Sequence, residues 1–159
     1  MNIIQGDLLE LAEQGNFDII VHGCNCFNTM RSGIARQIAE RYPQAYAADC
    51  STTKGDYNKL GNFSKSATNK FVIVNAYTQY HFNNKHHKED LFEYISFAMI
   101  LQKLVHTVGD CRFGFPMIGM GLAGGDKIKI LSLLDDFDRN VQQNGGTVTL
   151  VEYSTKSKN

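Results

Sequence analysis

Asp18-Ile19-Ile20-Val21-His22-Gly23-Cys24 runs into Asn25-Cys26-Phe27-Asn28-Thr29-Met30-Arg31-Ser32, and that loop runs into Gly33-Ile34-Ala35. The first segment is a short apolar run, Ile19-Ile20-Val21, of the kind that fills a strand buried on both faces. The last opens a helix over Gly33–Tyr42, with Ile34 and Ile38 four residues apart. A buried strand that passes through a polar loop into a helix is the repeating unit of a parallel α/β sheet. The first turn of such a helix carries unpaired N–H groups and the positive end of the helix dipole, so the junction suits an anion. His22 and Asn25 sit where the strand emerges. Each has an ordinary alternative: His22 as a hydrogen-bonded core histidine, Asn25 as a brace for its own loop.

The same alternation continues in both directions. Asn2–Gln5 reads as a strand closed by Gly6-Asp7, and Leu8–Gln14 as a short helix that Asp7 can cap. Pro43 restarts a helix that runs to about Asp49. Asn62–Ser66 is a weak strand and Phe71–Ala76 a strong one. The longest helix is expected from about Lys88 to His106, with Leu91, Tyr94, Ile95, Ala98, Met99, Leu101 and Val105 as its apolar stripe. Cys111–Pro116 is a strand, Asp126–Gln143 a helix with Ile130, Leu134, Phe137 and Val141 on one face, and Thr147–Tyr153 a closing strand. Ser51–Asn62 and His81–Lys88 read as surface loops. Residues 1–153 form one α/β domain with a mostly parallel sheet, and 154–159 form a polar tail expected to fray. Ligands of such sheets bind outside the carboxyl ends of the strands.

Two further strand ends carry unusual residues. Gly6-Asp7-Leu8 places a carboxylate where it can accept from a ligand amino group or simply cap the next helix. Pro116-Met117-Ile118-Gly119-Met120-Gly121-Leu122-Ala123-Gly124-Gly125-Asp126 holds four glycines in seven residues. Such a loop permits close backbone approach and a nest of N–H groups around a diphosphate. It lacks the Gly-Lys-Ser/Thr ending of a P-loop.

Composition narrows the function. The chain has 159 residues, 43% of them hydrophobic, with Lys plus Arg equal to Asp plus Glu at 16 each. This balance makes no strong case for nucleic acid, whose binding relies on clustered cations. Cys24, Cys26, Cys50 and Cys111 give neither a disulfide framework nor a second close pair to complete a zinc site, so reduced thiols, a cytoplasmic location and no metal are expected. The Met1–Asp7 segment lacks the basic and apolar regions of a signal peptide, and no run is apolar enough to span a membrane.

Gly6-Asp7-Leu8, Val21-His22-Gly23-Cys24-Asn25, Gly33-Ile34-Ala35 and Ile118-Gly119-Met120-Gly121-Leu122-Ala123-Gly124-Gly125 together resemble a macrodomain, in order and spacing, over nearly the whole chain. The His-x-Cys-Asn-Cys and Gly-Ile-Ala elements are most similar to the branch with the yeast-type ADP-ribose 1″-phosphate phosphatase and phage-encoded relatives. The resemblance implies a three-layer α/β/α fold, ADP-ribose or ADP-ribose 1″-phosphate as small-molecule ligand, no cofactor, and phosphate-monoester hydrolysis. The alternatives are a non-catalytic reader of ADP-ribose or a hydrolase that frees ADP-ribose from a macromolecule. It implies that Asp7, with the Leu8 backbone, contacts the adenine amino group, with Tyr153 bordering the ring. Ser32, Gly33, Ile34 and Ala35 would line one side of the diphosphate, and Gly119, Met120, Gly121, Leu122 and Gly124 the other. Asn25 would hold the distal ribose and His22 would be catalytic. Arg31 and Ser32 depart from the family's glycine run; Arg31 would crowd the distal ribose or reach a terminal phosphate. Gln79 and Ala123 stand about where a related glycosidase branch has Lys and Asp.

Overall fold

The computed structural model describes residues 1–82 and 91–154. Its elements run β1 (Asn2–Gly6), α1 (Leu8–Glu13), β2 (Ile19–Cys24), α2 (Gly33–Arg41), α3 (Pro43–Cys50), a 3-10 turn (Tyr57–Lys59), β3 (Phe63–Ala67), β4 (Val72–Tyr77), α4 (Tyr94–Val108), β5 (Arg112–Pro116), α5 (Lys127–Gln143) and β6 (Thr147–Tyr153). The sheet order is β1-β6-β5-β2-β4-β3. All pairings are parallel except β3 against β4. The tail beyond residue 154 lies outside the described residues.

Alternation along β2 sorts its side chains between two cores. Ile19 and Val21 join Phe97, Ile100, Leu104, Phe113, Leu134 and Phe137 under α4 and α5. Ile20 joins Leu9, Ile38, Ala45 and Ile73 under α1, α2 and α3. The result is three layers with β2 near the middle, flanked by β4 and β5. The α5 stripe of Ile130, Leu134, Phe137 and Val141 is buried throughout, and Asp126 caps that helix through bonds from the Ile128 and Lys129 N–H groups.

Helix α4 differs from its expected form. The Lys88–Asp90 part of the expected helix lies outside the described residues. Leu91 and Phe92 are not helical, because their N–H groups donate to the Ala123 carbonyl, and Phe92 bridges Gln79. The buried face consists of Phe97, Ile100, Leu101 and Leu104, while Ile95 and Met99 point to solvent. Apolar residues occupy almost the full circumference of this helix, so spacing alone assigns no face.

Candidate functional site

The parallel strands end at Gly6, Cys24, Tyr77, Pro116 and Tyr153 along one edge of the sheet. Two cavities open there. One, about 450 Å³, is bounded by Asn25, Thr29, Arg31, the start of α2 and Gly121–Ala123. The other, about 440 Å³, is bounded by Asp7, Leu8, Gln37, Pro116 and Tyr153. Gly33 and Ile34 line both, so the N-terminus of α2 joins them into one cleft.

That helix terminus leaves its first-turn donors unpaired at the cleft. Ser32 is extended at the N-cap and its hydroxyl makes no capping bond. Gly33 adopts a φ of 57°, and a Cβ there would meet nothing within 4 Å. Among the described residues, the Gly33, Ile34 and Ala35 N–H groups have no backbone acceptor. They are the unpaired donors of a first helical turn, set against a cavity wall.

The glycine-rich loop divides its residues between lining and folding. Gly121, Leu122 and Ala123 face the first cavity. Gly119, Met120 and Gly124 line neither cavity. Gly119 sits at φ 75°, where a Cβ would lie 2.5 Å from the Phe92 ring, and its carbonyl accepts from Gly125. Met120 packs on the core. Gly124 adopts φ 70° and donates to the Gly121 carbonyl. Of the residues expected to line the diphosphate, those at the tip of the loop border the cavity and those at its shoulders form the turn.

His22 does not reach the cleft. It follows Ile20 in the alternation, so its ring points under α3 and is fully buried. Its Nε2 lies 2.7 Å from the Asn75 Oδ1. The Asn75 amide nitrogen donates to the Ala45 carbonyl and to Ser64 Oγ, which leaves Oδ1 as acceptor and places the imidazole proton on Nε2. Burial pulls the His22 pKa down to about 4, against a smaller upward pull from Asn75. His22, expected to be catalytic, is here a neutral, hydrogen-bonded and covered imidazole. Asn25 does line the cleft, yet its amide donates to the Thr29 carbonyl and hydroxyl and accepts from the Phe27 N–H. It braces the loop and presents that loop to the cavity.

Behind the loop lies a polar cluster that no sequence pattern announces. Lys59, 7% exposed, donates to the Cys26 carbonyl at 3.1 Å and to Asn28 Oδ1 at 2.6 Å, with its ammonium 4.7 Å from the Tyr77 ring centre. The Tyr77 hydroxyl donates to Asp49 Oδ1 and meets Ser64 Oγ at 2.8 Å. Burial raises the Asp49 pKa. Lys59 lies in a polar stretch that reads as solvated surface, which is why its burial is a structural finding only.

In the second cavity Asp7 and Tyr153 face each other across paired strands, since Gly6 and Tyr153 are in register. Asp7 Oδ1 accepts from the Leu9 and Glu10 N–H groups and caps α1, leaving Oδ2 for another donor. Tyr153 is 64% exposed and offers a ring face. In the first cavity Arg31 is the one charged side chain on the wall among the described residues, and it is exposed without an ion pair among them. The Gln79 amide nitrogen donates to the His81 carbonyl. Burial raises the Cys24 thiol well above its ordinary pKa, so this lining residue supplies no thiolate.

No protein-family model matches the chain. An uncharacterized 17.5 kDa protein from the tk-vs intergenic region of Enterobacteria phage T4 is 32% identical over 149 residues, spanning 87% of this chain and 90% of that protein. The macrodomain of Mycobacterium tuberculosis DarG superposes with a TM-score of 0.71 at 20% identity, over 95% of this chain and 98% of its own. Thermosipho africanus DarTG, solved in complex with ADP-ribose, superposes with a TM-score of 0.71 at 12% identity, over all of this chain and 43% of its own.

Proposed function

From a chain that belongs to the family of the phage T4 17.5 kDa protein and has the macrodomain fold, we propose a cleft that binds ADP-ribose and hydrolyses the phosphate monoester of ADP-ribose 1″-phosphate. The observation that carries the reading is the joining of two cavities at Gly33 and Ile34. A diphosphate lies at that junction, against the free N–H groups of α2 on one side and the Gly121–Ala123 tip on the other. Adenosine extends toward Asp7 Oδ2, which accepts from the amino group, and stacks by Tyr153. The distal ribose extends over the Asn25–Thr29 loop. The complex of the Thermosipho neighbour with ADP-ribose supports this choice of ligand.

The monoester is supported by Arg31. Among the described residues Arg31 is the one cation on the wall of the distal cavity, a partner for a terminal phosphate, and a guanidinium matches phosphate geometry in two bonds at once. Phosphoryl transfer runs through a loose transition state, so positioning and charge stabilisation supply most of the rate. Water attacks phosphorus, the P–O bond to the distal ribose oxygen breaks, and the proton the water loses ends on that oxygen, so the products are ADP-ribose with a free hydroxyl and inorganic phosphate, while Arg31 holds the equatorial oxygens. His22 contributes by bracing strand β2 beneath the loop and touches no reacting atom.

A second reading, binding without turnover, is favoured by one observation. Among the described residues no side chain on the distal wall is poised as a base: His22 is covered and the Cys24 thiol is held protonated. Calorimetric titration with ADP-ribose, paired with a phosphate-release assay on ADP-ribose 1″-phosphate, decides between them. Binding with release supports the hydrolase. Binding without release supports the reader. Absence of binding removes both.

A further inference from the structure

We infer that Lys59 is the positioning residue for the distal half of the cleft, acting through the rear of the Asn25–Ser32 loop. The inference rests on the ADP-ribose reading above and deepens it. The Lys59 ammonium is buried, and among the described residues no carboxylate lies within ion-pair distance of it. Burying a charge is unfavourable unless oxygen atoms or an aromatic face replace its water. Here the Cys26 carbonyl, Asn28 Oδ1 and the Tyr77 ring do so. An apolar residue would fill the space with less desolvation, but it could not hold two loop oxygens at once.

The tether acts where the loop needs it. Asn28 is the one non-glycine residue with a left-handed φ, 57°, among the described residues, a conformation that L side chains adopt at a cost. Its side chain is held on both ends: Oδ1 by Lys59, and the amide nitrogen by the Thr52 carbonyl at 3.1 Å. The Cys26 carbonyl accepts from both Lys59 Nζ and the Gly55 N–H. Lys59 itself is fixed by a turn that Asp56 caps. Residues 26 and 28 are thus pinned from behind, while Asn25, Thr29 and Arg31 face the cavity from the same loop. The adenosine half has no contact with the Lys59 tether, because its walls come from β1, α1, α2, the end of β5 and β6.

The test compares ADP, which lacks the distal ribose, with ADP-ribose. Lys59→Met and Asn28→Gly proteins are titrated calorimetrically with each, alongside the parent and with thermal melting as a folding control. Asn28→Gly keeps the left-handed backbone and removes only the side-chain tether, so it decides the matter if Lys59→Met does not fold. The expected result is ADP affinity within about twofold of the parent and ADP-ribose affinity lowered about tenfold or more, the scale of one or two lost ligand hydrogen bonds. Unchanged ADP-ribose affinity in a folded variant overturns the inference, and so does an equal loss for both ligands, which marks a general structural role. A parent that binds neither ligand overturns the ADP-ribose reading itself and this inference with it.

Discussion

His22 and Asn75 stand opposite each other on β2 and β4, and the imidazole Nε2–H donates to the Asn75 Oδ1 across 2.7 Å. The pair continues through Asn75 to Ser64, from Ser64 to Tyr77, and from Tyr77 to Asp49. A histidine held this way is a sheet brace that must shed its proton before it is buried.

That has a pH signature. The folded-state pKa of His22 is about 4 against an ordinary 6.5, so the unfolded chain takes up a proton that the folded chain refuses. Its contribution to stability is therefore fully present above pH 6.5 and is lost as pH falls from 6.5 to about 4. At 1.36 kcal/mol for each pKa step, the loss amounts to about 3 kcal/mol. Asp49, raised by burial, has the opposite sign: its share declines as pH rises through its folded pKa. The difference between parent and His22→Gln isolates the histidine. Denaturant midpoints between pH 7 and 4.5 should fall more steeply for the parent than for the variant; parallel curves would refute the assignment.

Arg31→Gln tests the distal phosphate. A charge-assisted bond contributes roughly 1.5–3 kcal/mol, and the exposure of Arg31 places this one at the lower end through solvent screening. Affinity for ADP-ribose 1″-phosphate should drop about tenfold, while that for ADP-ribose should move less than about twofold. A rise in affinity for both would show instead that Arg31 crowds the site.

Gly121 and Gly119 should respond in opposite ways to valine. A Cβ at Gly121 meets nothing within 4 Å and its φ is not left-handed, so Gly121→Val should fold and block the diphosphate. Gly119 holds φ 75° with the Phe92 ring 2.5 Å from a Cβ, so Gly119→Val should lower the melting temperature before any question of binding arises. Melting curves and an ADP-ribose titration on both variants check the contrast.

At Asp7 the cap uses Oδ1 alone, and the proposed adenine contact would use Oδ2. Asp7→Asn keeps an oxygen for the Leu9 and Glu10 N–H groups but turns an amide donor toward the adenine amino group. Stability should stay within about 0.5 kcal/mol while ADP-ribose affinity falls about tenfold. Asp7→Ala should lose both, with about 1 kcal/mol of stability gone with the cap. An Asp7→Asn protein with parental affinity would take the adenine away from this residue.

The elements legible in the sequence are those where one period dominates. The α5 stripe and the Ile19–Val21 run each admit one arrangement, and the three glycine- or asparagine-bearing strand ends do converge on one edge of the sheet. Helix α4 was ambiguous because its apolar residues surround it. The orientation of His22 follows from alternation once Ile20 is known to face α2 and α3, but nothing local says which core receives the even positions. The glycines of residues 119–125 share one composition and two tasks, and only the folded turn separates them. Lys59 and Asp49 are invisible for a different reason: a charged residue in the polar stretch Ser51–Asn62 or at the end of a short helix reads as solvated, and the burial of both arises from contacts distant in sequence.

The wall shared at Gly33 and Ile34 makes the two cavities neighbours through a single helical turn. On the proposed reading each end alone would be a weak guest: adenosine monophosphate on one side, ribose 5-phosphate on the other. Tethered by the pyrophosphate, the second arrives at an effective concentration set by the bond between them, and the gain over either fragment can reach about 10²–10⁴ with no new contact. A cleft that binds ADP-ribose as proposed would behave as a gauge of molecular length, rewarding a ligand that spans both chambers and ignoring mixtures of its halves.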